Sequence, residues 1–184
     1  MTPEEDHRAT AGHFTSLVRT TADWDAPAPC DGWVARDVVR HLVEWLPGFL
    51  AAGSGVRLAP GPPVDVDPVG AWETHAGAVQ ALLDDPESQS VMLRNPNVGE
   101  MPLPSAIAMF YTSDVFLHTW DLARATGQDE RLDPARCAAM LEGMLPMDGL
   151  LRQSGHYGPR VTVPDDADPQ TNLLAFIGRD PLRS

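Results

Sequence analysis

Apolar residues recur along this chain at the three-to-four-residue spacing that is typical of amphipathic helices. Pro, Gly and Asp cluster between these stretches, as expected where helices begin and end. The spacing predicts helices over residues 4–22, 35–52, 68–83, 105–126, 134–145 and 169–178. Pro47 is expected to kink the second helix or to end it early.

The remaining stretches predict little regular structure. Residues 84–104 have an irregular composition, and residues 155–164, GHYGPRVTVP, are expected to be extended. The chain shows neither an internal repeat nor a series of alternating strands, so the sequence predicts an all-α fold. The pattern fits a four-helix bundle with additional C-terminal helices and a short extended tail segment. With 184 residues, of which 43% are hydrophobic, residues 1–184 are expected to form a single domain.

The charge balance narrows the range of partners. The chain has 26 acidic and 13 basic residues, a formal net charge of -13, and every basic residue is Arg. Such a surface repels polyanions, so neither nucleic acid nor an anionic membrane is expected as a partner. No apolar run approaches the ~18 residues of a membrane span, and the first residues are acidic rather than basic and apolar. Cys30 and Cys137 lie far apart, which suggests no disulfide framework and fits a cytoplasmic location.

Candidate chemistry is concentrated in the fourth predicted helix. At 100° per residue, Asp114, His118 and Asp121 face nearly the same direction, beside Phe110 and Leu117. Buried carboxylate and imidazole groups are costly unless they are paired or coordinated. An acidic residue and a His four positions apart can bind one divalent ion, and bundles build metal sites from facing helices. A metal-free hydrogen-bonded pair fits the spacing as well, so both interpretations stay open.

A further ligand has to come from another helix. His41 is the best candidate, because it lies within the apolar repeat of the second helix. The other histidines are expected to be surface residues or local hydrogen-bonding groups: His7, His13, His75 and His156.

Four blocks of this sequence resemble the DinB-like, or mycothiol-dependent maleylpyruvate isomerase N-terminal-domain, superfamily. They are DWDAPAPCDGWVARDVVRHL, DVDPVGAWETH, DVFLHTWDLARATG with DERLDP, and DDADPQTNLLAFIGRDP. The resemblance is strongest to the branch of small metal-binding proteins of unknown substrate. It implies an up-down-down-up four-helix bundle that binds a divalent metal, most often zinc and in some relatives nickel or another ion. Matched by position, the implied ligands are His41, Asp114 and His118.

The resemblance also implies an activity. Three protein ligands leave an open position that can bind water or a thiolate and lower its pKa. The implied function is a metal-dependent thiol transferase or isomerase-like enzyme that uses a low-molecular-weight thiol, such as mycothiol, and an electrophilic substrate. Asp114 stands where the isomerase has the longer Glu, so the ion is expected closer to the helix or at a longer bond. Few residues follow the fourth helix, which argues against maleylpyruvate itself as the substrate. The alternative is a non-catalytic ligand- or protein-binding module with a structural metal or a buried polar network.

Roles for the neighbouring residues follow from their positions. Asp121 either orients His118 or pairs with Arg124 or an Arg of the second helix, and the ion pair is slightly favoured. Trp45, one turn after His41, is expected to wall the pocket, whereas Cys30 is expected to be a half-buried packing residue without a chemical role. The tail after Arg152 either covers the open end of the bundle or packs outside it. A homodimer is considered as well, because exposed apolar faces on small bundles often pair.

Overall fold

Short polar-Pro pairs begin several helices of this protein. The computed structural model describes residues 1–96, 98–155 and 157–183. Asp67, Asp133 and Asp168 each accept hydrogen bonds from backbone N–H groups of the turn that follows, and a proline occupies the first helical position. Thr2 caps the first helix in the same way, and Glu5 completes a capping box. These local signals explain why the helix starts follow from sequence.

The described residues are mainly helical. The helices are α1 (Pro3–Thr20), α2 (Ala35–Ser54), α3 (Pro68–Asp84), α4 (Leu103–Ala106), α5 (Ser113–Thr126), α6 (Pro134–Met144), α7 (Asp148–Ser154) and α8 (Pro169–Phe176). A π-helical segment, Ile107–Thr112, joins α4 to α5, and 3-10 turns occupy Pro86–Ser90 and Leu145–Met147. Two short strands, β1 (Met92–Asn95) and β2 (Gly99–Pro102), form an antiparallel hairpin in which Leu93 faces Met101.

Of the two outcomes expected at Pro47, an early end of the helix is wrong. The helix containing Pro47 does not end there but continues to Ser54 and stops at Gly55, whose φ is 75°. Burial of Leu46 and Leu50 beside the proline contributes ~1.5–3 kcal/mol each, enough to offset the ~3 kcal/mol that an internal proline costs. The stretch 84–104 is not irregular throughout, because it contains the hairpin. Leu93 of β1 is fully buried and packs close to Gly53 of α2, which holds the hairpin in place.

The C-terminal part also differs from expectation. α7 does not appear in the sequence prediction, and residues 158–164 contain no helix or strand. Val161 nevertheless donates a backbone hydrogen bond to Ala175 of α8, so the segment runs beside that helix.

The long helices pack around a central α5. α1 contacts α3 and α5, α2 contacts α3 and α5, and α6 contacts α8. One cluster of buried apolar side chains joins α1, α2, α3 and α5. A second cluster joins the opposite side of α5 to α6 and α8. This packing agrees with an all-α class, while the up-down-down-up order of a bundle remains a prediction. None of the described helices combines the length and apolar character needed to cross a membrane.

Candidate metal centre

The position of α5 explains why its polar residues are enclosed. Apolar clusters lie on both sides of this helix, so every residue from Val115 to Ala123 is buried. His118 is 6% exposed and Asp121 only 1%. An imidazole and a carboxylate at such depth need partners that compensate for lost hydration.

The π-helical segment sets the orientation of the start of α5. It ends immediately before α5, and the hydroxyl of Ser113 donates to the carbonyl of Ala108, five residues earlier. A π-helical turn rotates the following residues relative to the preceding helix, and such turns are frequent at functional sites. Here the turn buries Tyr111 and Thr112 and is followed directly by the residues that lead to Asp114.

α2 and the facing helix present matched residues to each other. His41 lies opposite His118, with ring centroids 4.8 Å apart, and Trp45 lies opposite Asp114. One turn further, Phe49 lies opposite Phe110 at 5.8 Å. Residue numbers that increase along α2 therefore decrease along the facing helix. The two helices run antiparallel at the site.

His41, Asp114 and His118 come together as a compact donor group. Asp114 Oδ2 accepts hydrogen bonds from His41 Nε2 at 2.9 Å and from Trp45 Nε1 at 3.0 Å. Asp114 Oδ1 lies 3.5 Å from His118 Nε2. One ligand atom from each of the three residues lies within 4.8 Å of the other two.

This donor set suits a divalent ion. Two imidazole nitrogens and a carboxylate oxygen are common zinc ligands, with bond lengths of about 2.0–2.2 Å. Tetrahedral bonds of that length separate ligand atoms by about 3.3 Å. The 3.5 Å contact is close to this value, and the 2.9 Å contact has to open by a few tenths of an ångström. Side-chain rotations would have to bring both imidazole nitrogens and one oxygen of Asp114 to this spacing from a starting group within 4.8 Å.

Asp121 lies behind His118, on the side away from Asp114. Its Oδ2 is 2.8 Å from His118 Nδ1, although the N–H direction lies outside hydrogen-bond angles, so the contact is mainly electrostatic. Arg179 donates two hydrogen bonds to the same carboxylate, at 3.0 and 2.9 Å. Asp121 therefore combines an orienting contact with an ion pair. The predicted partner was wrong, since Arg124 pairs with Glu130 instead.

The electrostatics of the group are strongly coupled. Burial lowers the pKa of His118, but Asp114 and Asp121 outweigh burial and raise this pKa to about 10. Burial raises the pKa of Asp114 and of Asp121, yet the facing His118 charge and the hydrogen bonds hold both below the usual value. In this arrangement a proton on His118 satisfies both carboxylates. A metal ion would have to replace that proton, because a coordinating imidazole is neutral.

Aromatic side chains line the group. Trp45 contacts His41 at 6.3 Å between ring centroids and donates to Asp114, so the residue predicted to wall the pocket lies against it. Trp33 stacks on His118 at 5.7 Å and contacts His41 at 5.3 Å, a role that the sequence analysis missed. Its only sequence signal is its place in the DWDAPAPCDGWVARDVVRHL block.

The loop before α2 also brings Cys30 to the site. The backbone N–H of Trp33 donates to the carbonyl of Cys30, and Gly32 between them has a φ of 75°. This tight turn leaves the half-buried Cys30 Sγ 3.5 Å from Asp121 Oδ2. Sulfur, His118 and Asp121 form a second close group of donor atoms. Arg179 already neutralises that carboxylate, so the group fits a metal less well than the first.

The tail reaches the same region. Burial and the negative charge of Asp114 raise the pKa of Tyr157, while the charge of Arg179 lowers it. Tyr157 is half-buried and packs against the second apolar cluster. The tail therefore reaches the site through Arg179, which hydrogen-bonds to Asp121, whereas a cover over the open end of the bundle stays a prediction, and His156 lies outside the described residues.

The remaining histidines lie elsewhere. His13 is exposed as expected, and His7 hydrogen-bonds to Gln80 at 2.9 Å, although it is buried. His75 is 5% exposed, so the expectation of a surface position was wrong. It lies on the inner face of α3 beside Trp72 and Val79, which pack in the main core.

The chain is similar to known proteins over most of its length. The profile of the mycothiol maleylpyruvate isomerase N-terminal domain family matches residues 7–123. Two relatives from Mycobacterium tuberculosis are each 30% identical over 184 residues, with 97% of this chain and 98% of the relative covered. They are uncharacterized protein Rv0738 of strain ATCC 25618 / H37Rv and uncharacterized protein MT0763 of strain CDC 1551 / Oshkosh. No solved structure gave a significant match.

Proposed function

This chain belongs to the mycothiol maleylpyruvate isomerase N-terminal domain family, and on that premise we propose that it is a metal-dependent thiol transferase or isomerase-like enzyme. We propose His41, Asp114 and His118 as ligands of a divalent ion, with zinc favoured over nickel and other ions. The observation that carries the proposal is the convergence of two imidazoles and one carboxylate from facing helices, with donor atoms within 4.8 Å.

The chain's own residues have separate tasks in this proposal. Asp121 holds the ring of His118 so that Nε2 faces Asp114, as the outer hydrogen-bond acceptors of metal-bound imidazoles do. Trp45 holds Asp114 through its indole N–H, and Trp33 shields the imidazoles from water. An ion bound here would act as a Lewis acid that lowers the pKa of a low-molecular-weight thiol. The attack of that thiol on an electrophile requires no protein nucleophile.

Metal content tests the ligand set. Protein purified without an affinity tag should contain about one ion per chain by elemental analysis. His41→Ala, Asp114→Ala and His118→Ala should each lose most of it, because two remaining ligands bind an ion weakly. His13→Ala is the matched control, since His13 is exposed, and it should retain the metal. Circular dichroism should show that all four variants remain helical. Unchanged metal content in all three ligand variants would refute the site.

Turnover tests the catalytic part. Metal-loaded protein should consume mycothiol or another small thiol in the presence of a suitable electrophile, and the His118→Ala variant should not. Loaded protein that consumes no thiol across a broad panel of electrophiles would favour a non-catalytic binding module with a structural metal. The second candidate function needs no ion.

That second candidate is a non-catalytic binding module with a buried polar network. The direct 2.9 Å hydrogen bond between His41 Nε2 and Asp114 Oδ2 favours it, because this pair is satisfied without an ion. The two candidates differ in the metal measurement, since the network predicts no ion even after reconstitution.

We also propose one domain over residues 1–184, with the long helices forming an up-down-down-up bundle. The shared position of α5 in both apolar clusters supports a single unit. A cytoplasmic location is compatible with the free thiols of Cys30 and Cys137. The expected partners are a small thiol, an electrophile and, in a homodimer, a second copy. With a net charge of -13, the protein should not shift DNA at moderate salt.

A further inference from the structure

A row of aromatic side chains leads away from the proposed ligands. Trp45 and Phe49 follow His41 on successive turns of α2, and Phe110 precedes Asp114 by one turn on the facing helix. The ring centroids of Trp45 and Phe49 are 5.7 Å apart, and those of Phe49 and Phe110 are 5.8 Å apart. We call Trp45, Phe49 and Phe110 the aromatic row.

The members of the aromatic row are more exposed than the aromatic residues of the cores. Its three members are each half-buried. Four aromatic residues of the cores are at most 1% exposed: Phe14, Trp72, Tyr111 and Trp120. Apolar surface that stays in contact with water costs free energy, and contiguous apolar surface beside a polar site is typical of ligand-binding clefts. The row therefore offers a hydrophobic surface that begins at the ligand group.

Cationic groups near the site are already paired. Arg40 binds the carboxylate of Asp65 at 2.7 Å and also contacts Asp37. Arg36 contacts Asp25 at 2.9 Å. These contacts neutralise the two arginines of α2 that precede His41 in sequence.

Arg179 lies against Asp121, beside the ligand group. Its Nε and Nη2 donate hydrogen bonds to Asp121, at 3.0 and 2.9 Å. A carboxylate on a bound molecule would therefore meet an arginine whose charge Asp121 already compensates.

We propose that the site binds an uncharged electrophile whose apolar body packs along the aromatic row, while its reactive group lies at His41, Asp114 and His118. This inference rests on the proposed function, because it assigns a substrate class to the same site. It predicts that a dicarboxylate, the type of substrate after which the family is named, is a poor ligand of this protein.

Hydroxamic acids provide a test that needs no turnover. They chelate zinc through one common head group, so only the tail differs between acetohydroxamic acid, octanohydroxamic acid and suberic acid monohydroxamate. The last two have the same chain length, but the suberic compound ends in a carboxylate. Binding to zinc-loaded protein is measured by calorimetry.

Octanohydroxamic acid should bind at least about tenfold more tightly than acetohydroxamic acid, because its methylenes leave water for the aromatic row. Suberic acid monohydroxamate should lose this advantage. Phe49→Ala and Phe110→Ala, each checked for helicity, should reduce the advantage and leave acetohydroxamic acid binding unchanged. Met109→Ala is the control, since Met109 is 59% exposed and lies next to Phe110 in sequence.

The outcomes separate the two proposals. Zinc-dependent binding of acetohydroxamic acid without a gain from the apolar tail would overturn this inference and leave the metal site intact. Tighter binding of the carboxylate-ended tail would do the same. Loss of zinc-dependent binding altogether would overturn the proposed function and this inference together.

Discussion

Asp121 shows how a buried charge in this protein is stabilised by two different partners. It is 1% exposed, and burial alone would raise the pKa of its carboxyl group. Contact with His118 and two hydrogen bonds from Arg179 reverse that effect and keep the carboxylate ionised. The side chain of Arg179 is itself only 15% exposed, so each charge depends on the other.

Asp121→Asn separates the orienting role from the ion pair. Zinc affinity should fall about 10- to 100-fold if the carboxylate orients His118. In zinc-free protein, the free energy of unfolding should fall by about 3–5 kcal/mol, because Arg179 is left buried without a counter-ion. Competition with a chelator measures the affinity, and chemical denaturation measures the stability. Asp129→Asn, in the exposed pair with Arg131, is the control and should leave both near wild type. Lower stability with unchanged zinc affinity would mean that Asp121 is only an ion-pair partner.

Gly178 connects three C-terminal elements. Its φ is 92°, and a Cβ atom there would lie 2.7 Å from the Cα of Gly158. Arg152 of α7 donates hydrogen bonds to the carbonyls of Gly158 and Phe176 at the same place. The close approach holds the tail against the end of α8, directly before Arg179, and so helps to place the arginine on Asp121.

Gly178→Ala should therefore destabilise the protein more than a positive φ alone explains. Gly127→Ala is the matched control: Gly127 has a φ of 67° at the end of α5, but nothing lies within 4 Å of the added methyl group. The control should cost about 1–2 kcal/mol, from backbone strain. Gly178→Ala should cost at least about 1 kcal/mol more, because the clash is with the backbone, and should weaken zinc binding. Equal losses in the two variants would show that the contact with Gly158 is loose.

Helices from distant parts of the chain meet at a second buried polar group. His7 of α1 and His75 of α3 both contact the ring of Tyr111 in the π-helical segment, at 6.0 and 5.5 Å. Gln80 donates to Glu4 and Asp84, so its carbonyl oxygen accepts from His7 Nδ1. Burial, reinforced by the nearby His7, lowers the pKa of His75 from 6.5 to about 4. The joint between these helices therefore requires a neutral imidazole.

Acid should weaken the fold through this group. An unfolded chain binds a proton at His75 below about pH 6.5, but the folded chain does so only near pH 4. The stability contributed by neutral His75 is thus complete above pH 6.5 and is lost as the pH falls toward 4. In the His75→Phe variant, the slope of the free energy of unfolding against pH should be smaller by about 1.4 kcal/mol per pH unit across that window.

Denaturation in the presence of a chelator removes metal release from the comparison. Around pH 8, His75 is neutral in the folded and in the unfolded chain. The difference in the free energy of unfolding between wild type and His75→Phe should therefore not change with pH there. Parallel plots of the free energy of unfolding against pH for the two proteins, between pH 6.5 and 4, would contradict this prediction. They would show that His75 takes up its proton in the folded protein as it does in the unfolded chain.

Local physics determined much of this protein from sequence alone. Apolar spacing and the Asp-Pro caps predicted the long helices, because both act within a few residues. The same pattern singled out Asp114, His118 and His41 as polar residues on apolar helix faces. The spacing of apolar residues does not predict contacts between residues that are far apart in the sequence. Only the tertiary structure paired Asp121 with Arg179, 58 residues away, rather than with Arg124 one turn away.

The other differences have the same cause. Trp33 became part of the site because a tight turn places its ring over His118, and the hairpin formed in residues 92–102 because Leu93 packs beside α2. The π-helical turn before Asp114 cannot be predicted from the spacing of apolar residues. The sequence alone determined the long helices and placed Asp114, His118 and His41 on their apolar faces. The packing of α2, α5 and α8 decided which of those residues meet, since contact energy depends on distance in space and not on separation along the chain.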